Sequence, residues 1–336
     1  MDQTVQERPG LRGSGRIARV AFGLAVGLLG AEGGARLAEG WLGIGEFARH
    51  LDAETAGCAT ASPTRIYEVV GRCGRDEHGF LLDQGRPLGN PSARRLMILG
   101  DSIGEQRWTL DLGDALQRKG RGQVEVWNAA LGGYGTCQAA AAARELAPIA
   151  RPHVVVVQTC PNDVFGSPVV LTGPEGDASV ILGGGRRRFP RALLHSALFR
   201  TGVMQLAGRG QPDATVAEAR ACAQGLLAAL GTTPVVVVHF PALVDDPADP
   251  LLREEADVLA AWSDAPGIRL RERLTPRRHL AALRETTADP IHPSEAVQHE
   301  LASLLVDDVA AALFSGGRGA TVPSSTEAAP RPDAGP

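Results

Sequence analysis

Short apolar runs alternate with amphipathic stretches through the middle and C-terminal parts of the chain. The runs end at glycine or polar residues and predict buried β-strands at residues 96–99, 124–127, 154–157 and 235–238, with a shorter candidate at 268–270. Helical periodicity between and after them predicts helices near residues 110–120, 136–150, 214–230, 251–262 and 294–314. Because such alternation favours right-handed crossovers, we expect an α/β fold, a three-layer α/β/α sandwich with a mostly five-stranded parallel sheet.

The flanking segments are predicted from their composition to lie outside this core. Residues 41–93 are rich in glycine, proline and polar residues, so we expect an irregular lead-in with one small strand at 66–70. An insertion at about 165–211, with a helical piece near 192–206, is expected to be a lid or a surface embellishment. Residues 315–336 have the composition of a disordered tail. The predicted organisation is an N-terminal segment at 1–40, the lead-in, an α/β domain at 94–314, and the tail.

The N-terminal segment combines basic residues with an apolar run. Residues 20–31 carry no charge and end at Glu32, and four arginines precede them: Arg8, Arg12, Arg16 and Arg19. These proportions are typical of a signal peptide, with the small residues 33–35 as a candidate cleavage site. An uncleaved membrane anchor and a buried helix of a soluble protein are the alternatives. If the segment inserts into a membrane, the leading arginines place the rest of the chain outside the cytoplasm.

Composition is that of an ordinary globular protein with a sizeable core. The 336 residues are 44% hydrophobic and 21% charged, with a formal net charge of -4. A net negative charge is not typical of a protein that binds nucleic acid, so we expect no nucleic-acid partner. No histidine-rich or paired carboxylate cluster offers three ligands, and we expect neither a metal nor an organic cofactor.

The five cysteines contain no C-x-x-C pair. In an oxidising compartment Cys58 and Cys73 could form a disulfide, a pairing that their spacing permits without requiring it. The odd count leaves at least one free thiol. Burial as an inert side chain is the default expectation for Cys137, Cys160 and Cys222.

Candidate chemistry follows the predicted strands at their carboxyl ends. Ser102 comes just after the first strand, Gly132 and Gly133 follow the second, Asn162 follows the third, and His292 lies beyond the last candidate strand. Because the carboxyl ends of parallel strands meet at one edge of a sheet, we expect these residues in one crevice. Each signal alone is weak, since Gly-Asp-Ser and Asn-Asp are common in turns and helix caps.

The residue types predicted at that crevice fit acyl transfer. A serine hydroxyl needs a base, and Asp289, three residues before His292, can orient the imidazole towards Ser102. An oxyanion then needs donors, and the candidates are the backbone N–H groups of Ser102 and Gly133 and the side-chain amide of Asn162. Two further carboxylates are predicted to support the site: Asp101 and Asp163.

Four blocks of the chain resemble those of the SGNH, or GDSL, hydrolase family. They are Gly-Asp-Ser-Ile at 100–103, Asn-Ala-Ala-Leu-Gly-Gly-Tyr at 128–134, Cys-Pro-Asn-Asp at 160–163 and Asp-Pro-Ile-His-Pro at 289–293. The resemblance implies a flavodoxin-like fold, cofactor-free ester hydrolysis, and family roles for Ser102, Gly133, Asn162 and His292, with Asp289 completing the triad. The chain departs from the family pattern where glycine is usual: at Gln106, Ala130 and Cys160.

Other hydrolase classes fit less well. Residues 100–104 also satisfy G-x-S-x-G, but residues 41–90 offer neither the upstream strands nor the glycine-rich loop of an α/β-hydrolase. The leading hypothesis is an extracytoplasmic serine esterase acting on a small-molecule, lipid or acylated-glycan ester, with membrane association through the N-terminal segment. The alternatives are an O-acyltransferase that uses the same residues and a non-catalytic binding module on the same scaffold.

Overall fold

The chain divides into two compact units, one formed by Met1–Gly57 and Pro168–Arg209 and the other by Cys58–Ser167 and Gly210–Pro336. The predicted tail and residues 43–58 of the lead-in lie outside the described residues. The computed structural model describes residues 14–42, 59–62, 65–71, 73–82, 88–120, 122–164, 169–172, 177–182, 185–190, 193, 196–199, 212–275, 278–287 and 289–314.

Strands and helices alternate along most of the chain. In chain order they are α1 (Ser14–Leu42), β1 (Ala59–Ser62), β2 (Ile66–Val69), β3 (Arg94–Leu99), α2 (Trp108–Gly120), β4 (Val124–Asn128), α3 (Thr136–Ala150), β5 (Val154–Thr159), β6 (Val169–Thr172), β7 (Asp177–Leu182), β8 (Gly185–Pro190), α4 (Pro212–Leu230), β9 (Val235–His239), α5 (Pro250–Ala261), β10 (Gly267–Arg269), α6 (Leu270–Leu274) and α7 (Glu295–Phe314).

Five strands of the larger unit form one sheet in the order β10-β9-β5-β3-β4. Every neighbouring pair in it is parallel. The predicted α/β class and five-stranded parallel sheet are therefore confirmed. After β3 the chain turns to one side of the sheet and after β5 to the other, so a topological switch point lies between these two strands. Ligands of open α/β sheets bind at the carboxyl ends of strands at such a point.

Helices cover both faces of this sheet. Side chains alternate along β3, so Leu96 and Ile98 join Trp108 of α2 and Leu305 of α7 in one apolar cluster. Met97, which is fully buried, points to the opposite face, where α3 contacts β3 and packs against α4. The result is the predicted three-layer arrangement.

The lead-in contains an antiparallel hairpin, because β1 pairs with β2. The predicted small strand at 66–70 corresponds to β2, and β1 is additional. Further along, Leu81 forms bridges with Arg75 and with Asn128 at the end of β4. The lead-in is thereby attached to the loop that follows β4.

The expectation for two of the cysteines is wrong. Cys137 and Cys222 are not inert buried thiols: they form a disulfide with Cα atoms 5.0 Å apart. They lie on the packed helices α3 and α4, and 85 residues separate them, so local spacing gives no sign of the pairing. Cys160 is free and buried. Cys73 is disulfide-bonded, and Cys58 lies outside the described residues.

The smaller unit contains α1 and an antiparallel sheet in the order β6-β7-β8. This sheet was not predicted from the sequence, because short strands between glycine-containing turns are easily taken for loops. The predicted helical piece at 192–206 lies mostly outside the described residues, although residues 197–199 are helical.

Helix α1 is long and apolar enough to cross a membrane. Its window Val20–Leu37 has a mean hydropathy of 1.3, although a signal sequence would meet the same criterion. Large apolar side chains on this helix are exposed, including Phe22, Leu24 and Leu29.

Glu32 joins α1 to the described part of the insertion. Its carboxylate accepts hydrogen bonds from the Ser196 hydroxyl at 2.7 Å and from the N–H groups of Ala197 and Leu198 at 2.8 and 3.0 Å. Arg36, one turn further along α1, donates to the same carboxylate at 2.9 Å. The carboxylate thus satisfies backbone donors at the start of a helical turn in the manner of a helix cap.

Candidate active site

Ser102 lies in a tight turn at the end of β3. Gly100 has a φ of +155°, and a side chain there would overlap the Gln158 carboxamide of the neighbouring strand β5. That carboxamide accepts the Asp101 N–H at 3.0 Å, and the buried Asp101 carboxylate accepts the Ile103 N–H at 2.9 Å. These contacts fix the backbone on both sides of Ser102.

Ser102, His292 and Asp289 form a chain of hydrogen bonds. The Ser102 Oγ lies 2.7 Å from His292 Nε2, and His292 Nδ1 lies 2.8 Å from Asp289 Oδ2. The side chains of His292 and Asp289 remain 30% and 29% exposed. Because the serine lies on the imidazole nitrogen opposite the carboxylate, the arrangement can pass a proton from the hydroxyl to the ring.

The turn that carries His292 is held by its own carboxylate and by neighbouring loops. Asp289 Oδ1 accepts the N–H groups of Ile291 and His292 at 3.1 and 2.9 Å. Burial would raise the pKa of Asp289, but these donors and the His292 ring outweigh it, so the pKa is lowered. The Leu243 N–H also donates to the Pro290 carbonyl at 2.7 Å. Asp289 is therefore held as an ionised acceptor for the imidazole.

The loop after β4 approaches the Ser102 turn closely. Leu131 N–H donates to the Gly100 carbonyl at 3.1 Å, and a Cβ at Gly132 would lie 3.6 Å from the Ser102 Cβ. Gly133 has a φ of +79°, in the left-handed region that favours glycine. Asn128 stabilises the loop, because its side chain donates to the Gly104 carbonyl and accepts the Ala130 N–H.

The three predicted oxyanion donors are without acceptors in the part of the chain that the structure describes. These donors are the N–H groups of Ser102 and Gly133 and the Asn162 side-chain amide. Ser102, Gly133 and Asn162 are all partly exposed. Donors in this state are available to a ligand.

Asn162 lies in a short 3-10 helix, Pro161–Asp163, directly after β5. The Cys160 Sγ lies 2.6 Å from Asn162 Oδ1 and 2.8 Å from the Asp101 carboxylate. The Asp163 carboxylate accepts the Cys160 N–H at 3.0 Å. Asp101 and Asp163 thus form hydrogen bonds with Cys160, which lies next to the segments that carry Ser102 and Asn162.

Asp101, Cys160 and Asp163 place potential metal-ligating atoms within 4.8 Å of one another. All three side chains are buried. Burial is the main cause that raises the pKa of each group, and negative neighbours raise those of Cys160 and Asp163 further. Raised pKa values favour protonated groups that hydrogen-bond to one another, whereas metal ligation requires their deprotonated forms.

Arg75 and Glu105 belong to the site's surroundings and were missed by the sequence analysis. Arg75, whose side chain is only 3% exposed, forms an ion pair with Glu105 and donates to the Gly79 carbonyl at 2.7 Å. Glu105 accepts the Gly132 N–H at 2.9 Å. Burial raises the pKa of Glu105, and the Arg75 charge opposes this rise. Arg75 lies in the predicted lead-in, and Glu105 follows the 100–103 block without belonging to it, so nothing in the local sequence distinguished them from surface charges.

Several solved enzyme structures are similar to this chain. A lipase/acylhydrolase from Enterococcus faecalis is 16% identical, with 66% of this chain and 97% of that chain covered and a TM-score of 0.41. An acetylxylan esterase from Geobacillus stearothermophilus is 15% identical, with 65% and 94% covered and a TM-score of 0.43. A gut microbial diltiazem-metabolizing enzyme is 12% identical, with 65% of this chain and 47% of that chain covered and a TM-score of 0.40.

No family model matches the chain, and no curated protein is significantly similar to it. Roles for individual residues therefore rest on the geometry of this chain. In its four sequence blocks and in its parallel sheet, the chain is similar to the SGNH, or GDSL, hydrolases.

Proposed function

We propose that this protein is a serine hydrolase that cleaves carboxylic esters through an acyl-enzyme intermediate. The observation that carries the proposal is the hydrogen-bonded chain from Ser102 through His292 to Asp289. The edge of a parallel sheet at the carboxyl ends of its strands is also where α/β proteins bind small ligands.

In the first half of the reaction, Ser102 Oγ attacks the ester carbonyl while His292 Nε2 accepts the hydroxyl proton. Asp289 accepts the Nδ1–H, which fixes the imidazole tautomer and stabilises the imidazolium. The imidazolium then gives its proton to the departing alcohol, leaving an acyl group on Ser102. In the second half, His292 deprotonates water, which attacks the acyl group, releases the acid and restores the hydroxyl.

Each tetrahedral intermediate places a negative charge on the former carbonyl oxygen. The Ser102 and Gly133 N–H groups and the Asn162 amide are the donors for this oxyanion, and their lack of acceptors among the described residues supports the assignment. The acyl or alcohol part of the substrate belongs to a small molecule, a lipid or an acylated glycan.

The test is turnover of a panel of p-nitrophenyl esters of increasing chain length. Wild type, Ser102→Ala and the control Ser303→Ala, which removes an exposed hydroxyl on α7, are compared. We expect Ser102→Ala to lose turnover and labelling by a fluorophosphonate probe, while Ser303→Ala keeps both. Equal turnover by wild type and Ser102→Ala would refute the mechanism. Failure of wild type to label or turn over any ester would favour a binding module.

The same acyl-enzyme could transfer its acyl group to a sugar instead of water. An ester with an isotopically labelled acyl group, incubated with and without an oligosaccharide acceptor, separates these outcomes. We expect the label in free acid under both conditions. Label in the oligosaccharide would identify an O-acyltransferase.

We also propose that the protein acts outside the cytoplasm and keeps α1 as a membrane anchor. The Cys137–Cys222 disulfide is typical of oxidising compartments. Retention of α1 is supported by Glu32, whose hydrogen bonds to residues 196–198 would be lost if cleavage occurred just beyond it. The exposed apolar side chains of α1, such as Phe22, Leu24 and Leu29, suit contact with lipid.

The intact mass of the membrane-extracted protein tests this location. We expect a chain that retains residues 14–42, resists extraction with high salt and requires detergent. A mass that lacks residues up to about 35, in a protein that is recovered without detergent, would show signal-peptide cleavage instead.

A further inference from the structure

We propose that Cys160 is a positioning residue whose thiol holds the Asn162 carboxamide with its Nδ2 facing the oxyanion. The inference rests on the proposed ester hydrolysis at Ser102 and adds to it a residue that none of the mechanistic steps uses. Cys160 occupies a position where the resembling family has glycine, which has no side chain to make this contact.

The thiol is held in place on several sides. Cys160 is 1% exposed, and its N–H is fixed by the Asp163 carboxylate at 3.0 Å. Its Sγ lies 2.6 Å from Asn162 Oδ1 and 2.8 Å from Asp101 Oδ2. Of the three carboxylate and amide oxygens around this thiol, Asn162 Oδ1 is the nearest, and Asp163 Oδ1 is the farthest at 3.6 Å.

A carboxamide has an acceptor end and a donor end, and the thiol selects between them. With Oδ1 turned to the S–H, the donor end of Asn162 is directed away from Cys160. If the carboxamide rotated by half a turn, Oδ1 would face the oxyanion and Nδ2 would face the sulfur. The side chain of Asn162 would then repel the negatively charged oxygen instead of stabilising it. Without the thiol, nothing at this contact opposes that half-turn.

Asp101 is a second hydrogen-bonding partner of the Cys160 thiol. Its Oδ1 accepts the Ile103 N–H, and its Oδ2 faces Cys160 Sγ. Burial raises the pKa of Asp101, which favours the neutral carboxyl, a weaker acceptor for the thiol proton than a carboxylate. The thiol proton is then better placed on Asn162 Oδ1, and donation to Oδ1 polarises the amide and strengthens its N–H as a donor.

A purely packing role for Cys160 makes a different prediction from a positioning role. A serine at position 160 keeps a hydrogen-bond donor but has a smaller side chain than cysteine, whereas an alanine is smaller and has no donor. We expect Cys160→Ala to lower kcat about ten-fold or more, below the hundred- to thousand-fold loss of a whole donor, with KM unchanged. We expect Cys160→Ser to recover most of this loss.

Stability and coupling provide the controls. Val155→Ala, at a fully buried position of β5, the strand that ends just before Cys160, should lower the melting temperature without changing kcat. In an Asn162→Ala background, Cys160→Ala should have no further effect on kcat, because the group that it positions is gone. An equal fall in both backgrounds, or a serine variant as slow as the alanine variant, would overturn the proposal.

A spectroscopic readout separates this inference from the proposed function. In folded protein labelled with ¹⁵N-asparagine, the Asn162 side-chain amide resonances should shift in Cys160→Ala and return in Cys160→Ser. If wild type turns over no ester, or turns over esters no faster than Ser102→Ala, the proposed hydrolysis is refuted but the positioning role of Cys160 is not. Unchanged Asn162 resonances in Cys160→Ala defeat the positioning role, whatever the protein's activity.

Discussion

At the scale of single residues, neighbouring residues accommodate the side chains of Ala130 and Cys160, which stand where the resembling family usually has glycine. Ala130 is fully buried, and a Cβ at Gly104 would lie 2.6 Å from the Ala130 Cβ. The methyl group of Ala130 therefore uses space that the absence of a side chain at Gly104 provides. Cys160 replaces another glycine and uses its thiol in hydrogen bonds with Asp101 and Asn162. With both side chains present, the Ser102 Oγ lies 2.7 Å from His292 Nε2.

Asp289→Asn tests the role of the carboxylate at the imidazole. The amide cannot accept the Nδ1–H as a carboxylate does, so the wrong tautomer is favoured and Nε2 loses its ability to accept the serine proton. We expect kcat to fall about a thousand- to ten-thousand-fold. The control is Glu285→Gln, an exposed carboxylate on the same segment, which should keep wild-type activity. Comparable activity in both variants would contradict the assignment of Asp289.

His239 should make the fold sensitive to acid. Burial, assisted by the Arg269 charge, lowers its pKa from 6.5 to about 4, and its Nδ1 lies 2.7 Å from the Thr159 hydroxyl oxygen. Between pH 6.5 and about pH 4, His239 binds a proton in the unfolded chain but not in the folded chain. The free energy of unfolding is therefore highest above about pH 6.5 and falls as the solution is acidified.

We expect up to about 3 kcal/mol of this loss to come from His239. The measurement is the free energy of unfolding in urea at pH 7, 5.5 and 4.5 for wild type and His239→Gln. The variant should show a shallower pH dependence, and parallel curves would exclude a neutral buried histidine at this position.

At the scale of elements, an ion pair between buried Arg75 and partly exposed Glu105 helps to attach the lead-in to the β4–α3 loop. Arg75 contacts Glu105, which in turn accepts the Gly132 N–H beside Gly133. Removing one partner of a buried pair leaves an uncompensated charge. Arg75→Met should therefore reduce the free energy of unfolding, by less than the about 3–5 kcal/mol typical of a fully buried pair, and the double variant with Glu105→Gln should regain part of it.

Arg269→Met is the matched control for that prediction. Arg269 pairs with Glu272 at the surface, where both side chains are more than half exposed, so its loss should change stability little. Urea unfolding of the single and double variants measures the difference. Equal stabilities for Arg75→Met and Arg269→Met would mean that the lead-in is not held by this pair.

The sequence predicted the elements of the larger unit because their signals are local. Runs of valine resist helix formation and gave β5 and β9, whose observed ends extend the predictions by one or two residues. The hairpin strand β1 and the sheet β6-β7-β8 were missed. Their strands are short, and those of the sheet lie within a glycine- and proline-containing insertion, so their apolar residues are easily taken for parts of irregular segments.

At the scale of the whole molecule, the Cys137–Cys222 disulfide joins two helices across 85 residues. Such a link restricts the unfolded chain, and its removal typically costs about 2–5 kcal/mol. We expect the double variant Cys137→Ala/Cys222→Ala to melt at a lower temperature while its Ser102-dependent activity at 20 °C is retained. The wild type in reductant should melt like the variant, and a melting temperature unaffected by both treatments would contradict the disulfide's contribution.

The sequence by itself determined the alternation of strands and helices, the position of Ser102, Gly133, Asn162 and His292 after strands or in late loops, and the Asp289–His292 spacing. These follow from local periodicity and from the meeting of parallel strand ends at one edge. Only the tertiary structure decided the pairing of Cys137 with Cys222, the Arg75–Glu105 pair and the contacts of the Cys160 thiol. Each of these depends on which distant side chains face one another once helices and loops have packed, and short-range pattern carries no information about that.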